Sequence, residues 1–198
     1  LGPGWKTYWR NPGESGAPPH FKWVGSENVA KTEIRWPAPR RFNALGYDSF
    51  GYHKQVVIPV LLTPTFNHQP ITARLNLSYM ICANICIPMQ AKLILKFFET
   101  EPDGAAASLV QQYLNLVPQN SETSGLHIIS TSVSGDPGLQ ILRVRGRSEL
   151  PFKAPDLMVE GPNPLSFGRP KVVLSNNGHN VVMELPTYAG TSKIKLTN

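Results

Sequence analysis

Proline and glycine interrupt this chain so often that few segments are long enough for an extended helix. The 198 residues include 19 prolines and 16 glycines, and both residue types end regular elements or favour turns. Hydrophobic residues make up 41% of the chain and charged residues only 16%, so there is ample apolar material for a core. This composition favours short strands joined by turns, and it predicts an all-β fold with one large domain or two small ones.

Three segments in the first half have the length and apolar composition of strands. They are residues 55–62, 71–81 and 91–98. Pro59 places the first of them at a sheet edge or a bulge, because proline lacks a backbone donor. Turn-forming residues separate the three segments, which predicts an antiparallel sandwich.

A helix and a polar stretch separate the two halves of the chain. Residues 105–116 carry an apolar stripe at helical spacing and predict a helix, and the polar residues 119–125 predict a linker. Strand-like segments then resume between turn signals. They cover residues 126–133, 139–144, 157–160, 171–175 and 180–185. Asn177-Gly178 predicts a hairpin, and the chain is expected to divide into domains 1–118 and 119–198, the second a smaller β-sandwich.

Cys82 and Cys86 are the only two cysteines of the chain, and they lie four positions apart. On a helical turn, residues at this spacing are about 6 Å apart, which is within reach of a disulfide. Such a bond closes a ring of about five residues and is worth about 2 kcal/mol, against about 4–5 kcal/mol for a loop of about a hundred residues. The bond would therefore add little stability as a structural crosslink, and the pair is better suited to act as a redox switch.

The residues that flank the two cysteines are apolar. No Lys, Arg or His lies within five positions on either side, and apolar surroundings keep a thiol protonated. We therefore expect a pair that reacts slowly until a partner docks and supplies a different environment.

Several function classes have no support in the sequence. The net charge of +6 is scattered and accompanies no nucleic-acid-binding module. No apolar run approaches the ~18–20 residues that a membrane-spanning helix needs, and the five histidines are dispersed without metal-ligand spacing. Because the chain starts at Leu1 without a methionine or a secretory leader, we expect a processed or trimmed product.

Several motifs occur in one order along the chain. They span residues 3–13, 34–42, 47–52 and 79–88 in the first half, and 155–162 and 165–168 in the second. Together they resemble the N-terminal periplasmic domain of the DsbD family of membrane electron transporters, and most of all its suppressor-of-copper-sensitivity B (ScsB) branch. The resemblance implies immunoglobulin-like β-sandwiches, joined here by the short helical and linker segment. It also implies one or two strands before Leu1.

The same resemblance implies a function in electron transfer. The cysteine pair would act as a redox-active disulfide without a further cofactor, in the periplasm of a Gram-negative bacterium, as a domain of an inner-membrane protein. Thioredoxin-like and transmembrane domains of the full-length protein would donate electrons, and a periplasmic thioredoxin-fold isomerase (ScsC-like) would accept them. Neither nucleic-acid binding nor direct membrane insertion of this part is expected.

The resemblance also assigns site residues. Cys82 and Cys86 would be catalytic, and Cys86 would form the mixed disulfide with the recipient. Residues 48–52 would form a cap loop over the pair, with Asp48, Phe50 and Tyr52 in the cap and Gly51 as its flexible joint. The alternative is that the aromatics of this stretch pack in the core. The resemblance further places two tyrosines beside the pair, Tyr8 and Tyr79.

Two other functions remain open from the sequence. Met80, Cys82, Cys86 and Met89 offer soft sulfur ligands that suit copper(I), so the chain could be a copper carrier in copper tolerance. A structural adhesion module is the second alternative. It is disfavoured because the structural bridge of immunoglobulin-type domains joins distant strands rather than close sequence neighbours.

Overall fold

The computed structural model describes residues 1–44, 46–98, 104–136, 139–161 and 165–188. The chain divides into two compact units, Leu1–Pro118 and Gln119–Asn198. Strands dominate both units, and the helices in the described segments are short. The predicted all-β fold is confirmed.

The first unit contains eight strands and one helix among its described residues. The strands are β1 (Lys6–Gly13), β2 (His20–Lys22), β3 (Lys31–Ile34), β4 (Arg40–Ala44), β5 (Tyr47–His53), β6 (Val60–Thr63), β7 (Ile71–Cys82) and β8 (Cys86–Phe97), and the helix is α1 (Gly104–Leu114). Six strands form one antiparallel sheet in the order β2-β7-β1-β5-β4, with β8 on the other edge of β7. Strands β3 and β6 pair separately as a two-stranded sheet.

The β7–β8 hairpin is the longest paired element of this unit, and it runs in register from Ile71↔Phe97 to Cys82↔Cys86. Because side chains alternate between the two faces of a strand, the odd-numbered residues of β7 lie on one face and the even-numbered residues on the other. Ala73 and Leu75 on the odd face are buried. The even face carries Cys82.

The sequence predictions for this unit are right for the hairpin and partly wrong upstream of it. Segments 71–81 and 91–98 are strands, although the second strand begins earlier, at Cys86. Segment 55–62 is not a strand along its length, since β6 begins at Val60. Before it, Gln55 N donates to His53 O at 2.6 Å in a local bond, and Pro59 O accepts from Arg35 N at 2.8 Å next to the β3–β6 pairing. The predicted helix is present as α1, and Tyr113 Oη donates to Gln55 O at 3.3 Å.

The second unit forms a single antiparallel sheet in its described part. Its elements are α2 (Ser121–Ser124), β9 (Leu126–Ser134), β10 (Gln140–Ser148), β11 (Ser166–Phe167), β12 (Lys171–Ser175) and β13 (Asn180–Tyr188). The strand order is β11-β13-β10-β9, with β12 also paired to β13. Its buried core consists of Phe167, Val181, Met183 and Leu185, with partly buried apolar side chains packed against them.

Local signals in the second half predict most of its strands. The Asn177-Gly178 hairpin is confirmed, because Ser175 pairs with Asn180 and Asn176, Asn177 and Gly178 take φ values of 51°, 51° and 86°. The strand expected at 157–160 is wrong. That stretch is irregular, and Leu157 and Val159 pack against the buried core of the sheet instead of pairing with a strand. The expected linker 119–125 contains the helical turn α2.

Candidate redox site

The two cysteines lie opposite each other where strands β7 and β8 meet. They form a disulfide with a Cα–Cα distance of 4.1 Å, and they are register partners at the end of the hairpin. The loop between them is residues 83–85, closed by a hydrogen bond from Ala83 N to Ile85 O at 2.9 Å. The distance inferred from a helical turn therefore does not apply. The spacing of four positions is that of a cross-strand pair closed by a three-residue loop.

The two sulfur-bearing residues differ sharply in accessibility. Cys82 is 2% exposed, whereas Cys86 is exposed and follows the exposed loop residue Ile85. Thiol–disulfide exchange requires that the attacking sulfur reach its target. The geometry therefore presents Cys86 to a docking partner and holds Cys82 behind it.

Tyr8 contacts both sulfurs from strand β1. Its hydroxyl donates to Cys82 Sγ at 3.1 Å and lies 3.9 Å from Cys86 Sγ. The side chain is fully buried, and burial raises the pKa of the Tyr8 hydroxyl, with a hydrogen bond to Ser15 acting in the opposite direction. The hydroxyl therefore keeps its proton at neutral pH and can donate it to a sulfur.

A small core on the even face packs around the pair. Its buried members are Tyr8, Phe42, Ala44 and Cys82, with Met80 packed against them. The rings of Tyr8 and Phe42 lie 5.9 Å apart. The role of Phe42 and Ala44 in covering Cys82 was missed from the sequence, because strand β4 reaches the pair only through the intervening strands β5 and β1.

Basic side chains from three neighbouring strands gather beside this core. Lys6 is the register partner of both Cys82 and His53. Lys6 Nζ lies 5.0 Å from the centre of the Phe42 ring and donates to Asn43 O at 3.2 Å. The ring of His53 packs edge-on against Phe42 at 5.2 Å. Burial, followed by the charges of Lys6 and Arg40, lowers the pKa of His53.

The fold changes the expectation, drawn from the residues next to the cysteines in sequence, that the pair has only apolar surroundings. That window is apolar, but the sheet brings Lys6 beside the pair from 76 positions away in the chain. Nearby positive charge favours a thiolate, whereas the burial of Cys82 disfavours one. The exposed Cys86 carries less of that burial cost.

The expected cap loop is not a loop in the structure. Residues 48–52 lie within strand β5, and Phe50 and Tyr52 are 3% and 7% exposed. Tyr52 pairs with Thr7, whereas Tyr8 and Lys6 share the face of Cys82, so Phe50 and Tyr52 belong to the opposite face of the sheet. The alternative, in which Phe50 and Tyr52 pack in the core, is therefore the arrangement that the structure shows.

Specific contacts hold each member of this segment in the sheet. Tyr52 Oη donates to Pro37 O at 2.8 Å, and burial raises the pKa of Tyr52 above its usual value against the opposing charge of Arg10. Asp48 pairs with Arg41 at 3.3 Å. Gly51 is required for close approach, because a Cβ there would overlap Thr7 O and lie 2.9 Å from Tyr8 Cα. It is a packing position rather than a flexible joint.

Tyr79 and Met89 also lie away from the pair. They are register partners on the odd face, while Met80 pairs with Pro88 on the face of Cys82. Tyr79 lines an apolar cavity of about 590 Å³ on that odd face. The four sulfurs proposed for copper therefore do not converge, and the described residues contain no group of three or more His, Cys, Asp or Glu that could hold a metal.

Comparison with known families divides the chain at nearly the same place as its fold. Residues 1–97 match the family model described as "Thiol:disulfide interchange protein DsbD, N-terminal". Residues 116–198 match a family described as "Domain of unknown function (DUF8393)". No curated protein and no solved structure matches the chain.

In the parts of the chain that the structure describes, neither helix is long and apolar enough to cross a membrane.

The match over residues 1–97 ends with strand β8, so it includes the whole β7–β8 hairpin and both cysteines. Residues 1–97 therefore form a DsbD-like N-terminal domain.

Proposed function

We propose that the first unit is a thiol–disulfide exchange module in which Cys86 reacts with the partner and Cys82 resolves the mixed disulfide. The observation that carries this proposal is the exposed Cys86 at a hairpin end, joined to a Cys82 that is only 2% exposed. The family description of residues 1–97 supports the same chemistry.

The reaction needs only the two cysteines and the partner's disulfide. The Cys86 thiolate attacks one partner sulfur, which breaks the partner disulfide and releases its other sulfur as a thiolate. The Cys82 thiolate then attacks Cys86 Sγ, restores the Cys82–Cys86 bond and releases the second partner sulfur. Two electrons pass to the partner, and the two protons lost by the cysteines are taken up by the two product thiolates. No cofactor enters this scheme.

Tyr8 and the neighbouring cations assist different parts of this scheme. The Tyr8 hydroxyl, 3.1 Å from Cys82 Sγ, is placed to donate to the resolving sulfur when that sulfur is a thiolate. Lys6, the register partner of Cys82, supplies positive charge beside the pair. A hydrogen bond to a charged acceptor and a nearby cation both lower a thiol pKa.

We place this module in the periplasm, as part of an inner-membrane protein of the suppressor-of-copper-sensitivity B branch in a Gram-negative bacterium. Thioredoxin-like and transmembrane domains of the same protein would reduce the pair, and a thioredoxin-fold isomerase of the ScsC type would be reduced by it. The resemblance of the motifs in residues 3–13, 34–42 and 79–88 supports this setting, as does the family matched by residues 1–97.

A trapping experiment tests the assignment of the two sulfurs. The reduced chain is mixed with an oxidised thioredoxin-fold isomerase, quenched with acid and alkylated, and the products are weighed by mass spectrometry. We expect Cys82→Ser to accumulate a mixed disulfide through Cys86, and Cys86→Ser to form little adduct. A complex that forms only through Cys82 would reverse the assignment, and electron transfer that survives loss of both cysteines would refute the function.

A further inference from the structure

The sheet face that carries Cys82 and Cys86 also carries a group of basic side chains further along its strands. Lys22 of β2 and Lys92 of β8 are both register neighbours of Asn76, one on each side of β7. Asn76 lies on the same face of β7 as Cys82, because six positions separate them. Lys96 of β8 pairs with Thr72 on the same face. We call Lys22, Arg74, Lys92 and Lys96 the basic face.

Little negative charge opposes these cations. Arg74 pairs with Glu27 at 3.2 Å. The other three are exposed lysines, and within the described residues no ion pair involves them. The positions between them and the disulfide on strands β7 and β8 are uncharged, namely Ser78, Met80, Pro88 and Gln90.

Positive charge also lies beside the redox pair, separated from the basic face by these uncharged positions. Lys6 is the register partner of Cys82, and Lys92 is six residues along β8 from Cys86, which is about 20 Å at the usual rise of a strand. A partner that brings its disulfide to Cys86 and extends along β7 and β8 would therefore meet mainly positive charge, with Glu27 as the acidic group paired to Arg74. Such a field accelerates the encounter with an oppositely charged partner and repels a basic one.

We propose that this face docks an acidic surface that surrounds the partner's disulfide, and thereby selects which disulfides the pair reduces. The proposal rests on the exchange function proposed above and adds the chemistry of the partner. Of the surfaces that attract lysines, an acidic protein surface fits best, because the lysines lie on the same sheet face as the exposed sulfur that must meet a protein disulfide.

Three synthetic peptides test the proposal on the intact chain. Each has about 15 residues and one cysteine held as a mixed disulfide with thionitrobenzoate, and the flanking positions are four Glu, four Ser or four Lys. When a thiolate of the reduced pair attacks the peptide sulfur, thionitrobenzoate leaves and its absorbance gives the rate. The second cysteine then releases the peptide thiol and re-forms the Cys82–Cys86 bond.

We expect the Glu peptide to react at least about tenfold faster than the Ser peptide at low salt, with the Lys peptide slowest. The ratio should shrink as salt shortens the Debye length to about 10 Å at 0.1 M and below. This salt dependence is measured on the unmodified chain, so it stands even if a variant fails to fold. Equal rates for the three peptides would leave exchange in place and overturn the docking surface.

Charge reversal then locates the effect. Lys22→Glu with Lys92→Glu should abolish the advantage of the Glu peptide and leave the Ser peptide rate unchanged. The matched control is Lys31→Glu with Lys171→Glu, which reverses two exposed lysines on other sheets and should preserve the ratio. A ratio that survives the first pair, or falls equally in the control, overturns the proposal. No thionitrobenzoate release above that of free cysteine with any peptide would overturn the exchange function as well.

Anionic lipid is the competing occupant, and the same variants distinguish it. Vesicles of phosphatidylglycerol and phosphatidylcholine are sedimented with the unmodified chain and with the double reversal. If the reversal abolishes sedimentation while the peptide rates stay equal, the face belongs to a membrane surface and the proposal is wrong. Absence of sedimentation together with the peptide preference supports it.

Discussion

At the scale of single residues, the site depends on side chains that lie far from the cysteines in sequence. Tyr8 donates to Cys82 Sγ from 74 positions away, and Phe42 covers the same small core. The family resemblance placed Tyr8 and Tyr79 beside the pair, and the structure has Tyr8 there but not Tyr79. It also placed Phe50 and Tyr52 in a cap, with core packing as the alternative, and the structure has them buried on the opposite face. Tyr79, Phe50 and Tyr52 each lie on the face of their strand that points away from the pair. For Phe50 and Tyr52 the strand itself was not predicted, so its face could not be inferred from the sequence. Tyr79 lies in the predicted segment 71–81, where strand alternation already separates it from Cys82, three positions on.

Tyr8→Phe should raise the pKa of the reduced pair by about one to two units, because a hydrogen bond to a charged group is worth about 1.5–3 kcal/mol. The ring and its packing against Phe42 are kept. The rate of alkylation by iodoacetamide, measured against pH, gives the pKa. Tyr79→Phe is the matched control and should change nothing, since Tyr79 lies on the other face. Identical profiles for Tyr8→Phe and the unmodified chain would remove the hydroxyl from the mechanism.

His53 should titrate below its ordinary pKa of 6.5, because burial, Lys6 and Arg40 all disfavour the charged imidazole. The unfolded chain then binds this proton more readily than the folded chain. The stability linked to His53 is therefore fully present above about pH 6.5 and falls as the pH drops toward the lowered pKa.

NMR titration of the imidazole measures this pKa directly. Lys6→Gln should move it upward, toward 6.5, and the more distant Lys22→Gln should leave it unchanged. A pKa at or above 6.5 in the unmodified chain would contradict the cationic surroundings that the structure gives to His53.

At the scale of elements, the sequence predicts what is local and misses what is distant. The two strands of the β7–β8 hairpin, the α1 helix and the Asn177-Gly178 hairpin depend on neighbouring residues, and all were predicted. Strands β1 and β5 were not predicted, because they carry polar or glycine residues and pair across long separations, as Lys6 does with Cys82. Strand β4 pairs locally with β5 and was missed as well, since its residues Arg40, Arg41 and Asn43 are polar.

The close approach of β1 and β5 makes Gly51 a sharp test of this sheet. Gly51→Ala would place a methyl group against Thr7 O and Tyr8 Cα, so we expect a loss of about 2–3 kcal/mol in the free energy of unfolding by urea. Gly104→Ala is the control. A Cβ there meets no atom within 4 Å, and alanine favours a helix, so its stability should be unchanged or higher. Equal stabilities for the two variants would argue against the β1–β5 contact.

At the scale of the whole molecule, the two units have separate buried cores. The first contains Tyr8, Phe42, Ala44 and Cys82, and the second contains Phe167, Val181, Met183 and Leu185. The family matches fall on the same two parts, residues 1–97 and 116–198. Both cysteines of the chain lie in the first unit, so the proposed exchange is assigned to that unit.

Leu185→Ala tests this separation, because Leu185 is fully buried in the second core. The free energy of unfolding of the second unit should fall by about 2–5 kcal/mol. Hydrogen exchange should rise in β10 and β13 while β7 and β8 stay protected, and thiol exchange with a small disulfide should keep its rate. Leu75→Ala in the first unit should give the reverse pattern. Loss of protection in both units from either change would show that they unfold together.

A redox titration tests most directly whether Cys82 and Cys86 form a working couple rather than a structural bond. The intact chain is equilibrated in glutathione buffers of stepped potential, quenched by alkylation and weighed. We predict one reversible two-electron transition that involves both cysteines, with a midpoint above about −300 mV, where structural disulfides stay oxidised. A bond that resists reduction below that potential, or cysteines that titrate independently, would contradict the exchange function.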